Sequence, residues 1–278
     1  MKRLFLVTAI TLLTTDGFAG GGWIRKKNSL YFKTAFSRLA TDRFYTSTGQ
    51  KISTADFTTW SLDAYAEYGI VERWDAIVRF PVYKRSSFET TTSASGIGDL
   101  AVEFRYGLST GRWPVALGIG VDLPTGDNRL SAQVKNDPGA TIFLPTGDGE
   151  WNYRFNFYVS HGFETSPLYV SLDGGYNLRT MGFTDEYTIG LQAGYQPLRA
   201  IGVQVFARRL APIGDVDSST PSSRIGIGEG VQYTSLGGGL SYEFAPGYTL
   251  SADFFSAVGK ITNIYSGANF VIGLSFEK

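Results

Sequence analysis

From Trp151 to Val159 every second residue is aromatic or aliphatic, and the residues between include Asn152, Arg154 and Asn156. A repeat of two is the period of a β-strand, whose successive side chains point to opposite faces. Here it recurs almost from end to end. Trp60, Leu62, Ala64, Ala66 and Tyr68 alternate with Ser61, Asp63 and Glu67. Trp74, Ala76, Val78 and Phe80 oppose Arg73, Asp75 and Arg79, and Leu100, Val102, Phe104 and Tyr106 oppose Asp99, Glu103 and Arg105. Later runs set Leu168, Val170 and Leu172 against Ser171 and Asp173, Val203, Val205 and Ala207 against Gln204 and Arg208, and Leu250, Ala252 and Phe254 against Ser251 and Asp253. None carries the apolar stripe of a helix. With a weaker first strand around Leu30, Phe32, Thr34 and Phe36, the pattern predicts about twelve strands, an even number as membrane barrels require.

The first residues set the compartment. Lys2 and Arg3 precede an apolar run from Leu4 to Leu13, and Gly17-Phe18-Ala19 ends the stretch with small residues at its −3 and −1 positions. This is the pattern of a secretory signal over residues 1–19, leaving 20–278 as one exported unit. No later apolar run is long enough to cross a bilayer as a helix, so a membrane-spanning chain must cross as strands. The absence of cysteine excludes thiolate metal sites and disulfide staples, and a closed ring of backbone hydrogen bonds is another source of stability. The 34 Gly, 16 Tyr and 20 Phe accompany a mean hydropathy of −0.05, as expected where lipid-facing and lumen-facing residues alternate. The 25 basic and 25 acidic residues balance, so no nucleic-acid surface is expected.

Connections sort by length. Short ones fall at 69–72, 109–112, 163–166, 196–199 and 245–247; long ones at 38–56, 84–97, 124–150 and 211–228. Short turns at one rim and long polar loops at the other predict an all-β, transmembrane, antiparallel up-and-down β-barrel in the outer membrane, with the short turns in the periplasm. Trp60, Tyr68, Trp74, Trp113, Trp151 and Tyr248 cluster at strand ends, where aromatic girdles sit. The expected partners are outer-membrane lipid, a small-molecule ligand and the barrel-assembly machinery during biogenesis.

Gly96-Ile97-Gly98-Asp99-Leu100 with the strand running to Tyr106-Gly107-Leu108, and Pro114-Val115-Ala116-Leu117 leading to Asp122-Leu123-Pro124-Thr125-Gly126-Asp127, resemble the outer-membrane proteins grouped under the meta-pathway of phenol degradation. The resemblance implies a barrel with a transport role, and it alone implies an aromatic substrate. The last strand departs from the usual assembly signal: Phe276 has lipid-facing parity, but Glu277 and Lys278 follow it.

By parity, Asp63, Glu67, Arg73, Asp75, Arg79, Asp99, Glu103, Arg105, Arg154, Asp173, Arg208 and Asp253 face the lumen. Opposite charges on adjacent strands pair across the wall, and no one-sign track of the kind an anion channel needs is visible among them. Leu-Pro-Thr-Gly-Asp occurs twice, at 123–127 and 144–148. Pro124, Thr125, Gly126 and Asp127, and again Pro145, Thr146, Gly147 and Asp148, are turn formers at the rim. If the loop between them folds inward, they narrow a pore. Gly226-Ile227-Gly228-Glu229-Gly230 leads into a strand and offers no helix N-terminus to a phosphate. The lone His161 cannot build a multi-histidine metal site. No cofactor and no enzymatic activity are expected. The leading reading is a passive channel for small compounds, aromatic or hydrophobic ones among them. The alternatives are a closed structural or adhesive barrel with ligand-binding outer loops and, third, a lipid hydrolase using His161.

Overall fold

The computed structural model describes residues 21–216 and 228–278. The expected secretory signal and most of the 211–228 connection, including Gly226 and Ile227, lie outside them. The described residues form sixteen strands: β1 (Leu30–Tyr45), β2 (Lys51–Val71), β3 (Trp74–Phe88), β4 (Ala94–Gly96), β5 (Leu100–Ser109), β6 (Val115–Leu123), β7 (Ser131–Val134), β8 (Asp137–Phe143), β9 (Asn152–Gly162), β10 (Leu168–Arg179), β11 (Glu186–Leu198), β12 (Ile201–Pro212), β13 (Gln232–Ala245), β14 (Tyr248–Thr262), β15 (Ile264–Tyr265) and β16 (Asn269–Glu277). Twelve of them pair antiparallel with their chain neighbours in the order β1, β2, β3, β5, β6, β9, β10, β11, β12, β13, β14, β16. The ring closes because β1 also pairs β16, from Tyr31 opposite Glu277 to Leu39 opposite Asn269. β4 extends the wall beside β3, β15 beside β1, and β7 and β8 form a separate hairpin. No helix among the described residues is long and apolar enough to cross a membrane.

The outer surface is apolar and the inner surface polar, the inverse of a soluble globule. Ile119 is 65 % exposed and Leu240 60 %, while Glu67, Asp75, Glu103 and Arg105 are all 2 % exposed or less. A contiguous apolar belt of this kind must be covered by lipid. Tight turns close one rim: Val71 pairs Trp74 around Glu72 and Arg73, and Leu198 pairs Ile201.

At the opposite rim the strands run further than the sequence pattern predicts. Residues 38–56, expected as a loop, are largely β1 and β2, joined by a turn at 46–50, and β3 continues to Phe88 within the expected 84–97 loop. Beyond the bilayer the outer face of a strand meets water instead of lipid, so the alternation fades although the pairing continues. The inner faces of these extensions enclose a small apolar cluster of Phe44, Phe57, Ala94, Ala132, Leu144 and Tyr265. Phe57 and Tyr265 stack there with centroids 4.7 Å apart. Ala132 and Leu144 come from the 124–150 connection, so burial of this cluster draws that loop over the barrel mouth.

Candidate functional site

Two inward structures narrow the lumen, one at each end. At the short-turn end the segment before β1 runs inside the barrel. Gly22 donates its amide to Ser160 Oγ at 2.8 Å, and a Cβ on Gly22 would lie 2.1 Å from the Pro114 carbonyl oxygen; only glycine fits this approach. Trp23 meets the Tyr169 ring edge-on at 5.9 Å. Arg25 donates its amide to Asp75 at 3.1 Å, its Nε to Glu67 at 2.9 Å, and a further bond to Glu277.

These acids belong to a network centred on Arg105, which is 0 % exposed. Arg105 binds both oxygens of Asp75, at 3.0 and 2.7 Å, reaches Glu67 at 3.5 Å and donates to the Gly21 carbonyl at 3.0 Å. Tyr65 bonds Glu67. Tyr158 donates to Glu103 at 2.7 Å, and Arg79 approaches the other Glu103 oxygen at 3.4 Å. Buried charges survive only when paired and hydrogen-bonded, and here much of the pairing is supplied by the N-terminal segment. A vestibule of about 1010 Å³ lies beside it, lined by residues including Ile24, Arg73, Thr110 and Lys278.

At the other end the 124–150 connection turns inward. Its two Leu-Pro-Thr-Gly-Asp repeats face each other: Asp127 donates its amide to Thr146 Oγ1 at 2.9 Å, and Thr146 returns its amide to the Asp127 carbonyl at 3.0 Å. Asp99 at the head of β5 accepts the amides of Gly126 at 2.8 Å and Asp148 at 3.3 Å. Thr125 bonds the Gly98 carbonyl at 2.7 Å, and Lys84 Nζ bonds the Thr146 carbonyl at 2.9 Å. Leu144, Pro145, Thr146 and Gly147 are buried. Arg179, at the end of β10, clamps the far side of the loop through Glu150, through Asp148 at 3.3 Å and through Glu186 at 2.9 Å. It also bonds the Gly228 carbonyl at 3.1 Å. Below the loop lies a chamber of about 350 Å³, lined by residues including Arg79, Lys84, Arg154, Asn177, Tyr233 and Thr146.

The remaining charges named from parity are distributed along the wall. Asp63 accepts from Ser61 at 2.8 Å. Arg154 pairs with Asp122, and Arg208 with Asp173 at 2.8 Å. Asp253 accepts from Gln204 at 2.7 Å and faces Lys33 at 3.7 Å. Arg73 sits in the tight turn after β2 with φ 64 and is exposed at the periplasmic vestibule rather than within the wall, because β2 continues to Val71. Sequence reasoning missed Arg25, Glu150, Arg179 and Glu186, which lie before the first strand or at strand ends, where parity carries no information. It also missed Lys84, which lies within β3 beyond the register shift opposite Leu62 and Asp63, where the parity reverses. The basic run Arg25-Lys26-Lys27 is the available sign of the first. His161 is 4 % exposed, stacked on Trp113 at 4.2 Å with Nδ1 2.9 Å from the Arg112 carbonyl. No group of three His, Cys, Asp or Glu among the described residues is arranged to hold a metal ion.

Comparison with solved structures finds the same architecture. An outer membrane channel from Pseudomonas putida F1 is 14 % identical, with a TM-score of 0.66 covering 91 % of this chain and 97 % of that one. The translocator domain of the autotransporter NalP from Neisseria meningitidis is 11 % identical, TM-score 0.53, over 91 % and 89 %. The NanC porin is 12 % identical, TM-score 0.51, over 89 % and 98 %. At these identities the likeness is one of fold. No curated protein matches by sequence. The apolar belt, the closed ring of twelve strands and the sorted connections make this chain a β-barrel of the outer membrane. The pattern of the family described as "Putative MetA-pathway of phenol degradation" matches residues 16–272, and the chain belongs to that family.

Proposed function

We propose that the protein is a passive outer-membrane channel for small molecules, gated at the periplasmic end by its own N-terminal segment. The observation that carries this reading is the occupant of the lumen. A structural barrel fills its interior with wall side chains. Here a single strand of backbone, residues 21–28, occupies the space and is held by separable contacts to Ser160, Asp75, Glu67 and Glu277. Above it lies a chamber lined by the half-buried charged groups of Arg79, Lys84 and Arg154 together with apolar Pro81, Leu210 and Val231. No element for energy coupling is evident among the described residues, and we read passage as following the concentration gradient. The family description supports small aromatic compounds as the cargo. The packing of His161 between Trp113 and Phe163 supports an interfacial role for it and gives no support to a hydrolase.

The test is conductance in planar bilayers. The full chain should pass small, infrequent currents, and deletion of residues 22–28 should raise conductance several-fold with the barrel still folded. A folded deletion variant that stays silent would instead favour a closed barrel acting through its outer loops.

A further inference from the structure

We infer that the lumen prefers organic anions, planar carboxylates above all; this ligand class rests on the channel reading above. The inward charges named from parity are seven acids and five arginines, but they are not presented equally. In four of the ion pairs the cation reaches the water and the acid stays against the wall, whereas at the two ends of the lumen the order reverses, Glu277 being 24 % exposed against 10 % for Arg25 and Asp148 16 % against 3 % for Arg179. The Arg79 side chain is 39 % exposed against 3 % for Glu103, and Arg154 is 40 % exposed against 8 % for Asp122. Arg208 is 53 % exposed against 22 % for Asp173, and Lys33 25 % against 10 % for Asp253. The cause is side-chain length. A short carboxylate lies close to its own strand, while a long guanidinium or ammonium stem extends past it and ends in the lumen.

Two of the acids are further neutralised by wall donors, Glu103 by Tyr158 and Asp253 by Gln204. Lys84 adds a cation that donates to the Thr146 carbonyl at 2.9 Å. The exposed Lys27, Arg73 and Lys278 carry the same sign to the periplasmic vestibule, where Glu72 is the exposed acid. Between the two ends these four pairs thus present a positive surface to the water, which is how pores favour anions.

An aromatic shelf adjoins the most exposed of these cations. Phe206 precedes Arg208 by two residues on β12, so both project from the same face. Its ring meets Phe255 edge-on at 6.0 Å. Gly237 lies between them, and a Cβ there would come within 2.5 Å of Phe255 Cβ and 2.6 Å of Phe206 Cζ. The glycine gives the two rings their room. A flat ligand resting on this pair places a carboxylate within reach of the Arg208 guanidinium, whose fork matches two oxygens.

The experiment is equilibrium dialysis of the full chain in detergent against benzoate, benzyl alcohol and benzylammonium, which share a ring and differ in charge. Benzoate should bind tightest, by about 10-fold or more over benzylammonium, since only the carboxylate can accept a charge-assisted bond from the guanidinium. Arg208→Gln should remove the preference. Arg209→Gln, on the outward face beside Thr234, should keep it. Equal binding of the three, binding of none, a preference for benzylammonium, or a preference that survives combined Gln substitution of Arg79, Arg154 and Arg208 overturns the inference. Bilayer current in a KCl gradient separates the two claims. A current whose reversal potential favours cations refutes the anion preference alone. Silence of the segment-deleted barrel refutes the channel reading, and dialysis still decides the ligand class.

Discussion

Arg179 shows how much one side chain holds in place. Its guanidinium serves Asp148, Glu150 and Glu186, three carboxylates on one cation, so a proton on one of them relieves the excess negative charge. Burial pushes the Glu150 carboxyl up to about 8; Arg179 pulls it down and Asp148 adds to the rise. With the folded value above the ordinary value of 4.5, the folded loop binds more protons than the released loop between those two pH values. Its anchoring is therefore strongest at and below the lower value and weakens as pH rises through the upper one. Limited proteolysis of the 124–150 loop should accelerate across that window, and Glu150→Gln should flatten the dependence. Arg179→Met should cost about 3–5 kcal/mol, because it strands buried carboxylates. A denaturant midpoint unchanged from the parent protein would contradict that estimate.

Among the elements, the 124–150 loop depends on Asp99, which gathers the amides of both Leu-Pro-Thr-Gly-Asp repeats. Asp99→Ala should free the loop from β5, so that protease nicking between β7 and β8 quickens while the barrel itself resists. Equal nicking rates would mean that the apolar cluster around Leu144 suffices to hold it. The repeats were visible in the sequence as turn formers, and their mutual pairing was not, because hydrogen bonds between distant loop backbones leave no periodic trace. The strands show the converse. β9 and β5 could be read residue by residue because lipid on one side and water on the other impose the alternation. Above the bilayer that contrast is gone, and the continuation of β1 and β2 into 38–56 became illegible. The N-terminal segment is aperiodic as well: Glu67 and Asp75 were legible as inward acids, but nothing near them names Arg25 as their partner.

For the whole molecule, the inverted surface has a direct consequence in solution. The protein should remain dispersed only with detergent or lipid. On an unheated gel it should migrate faster than after boiling, because the closed ring resists dodecyl sulfate; a single heat-independent band would contradict a barrel. The seam between β1 and β16 also orders events in time. Leu30 and Lys278 exchange both of their backbone hydrogen bonds there, and Glu277, on β16, supplies one of the three carboxylates that grip Arg25. The segment before β1 thus waits for β16, far along the chain, before it can seat fully. The act of sealing the tube along its side also completes the grip that stoppers its end.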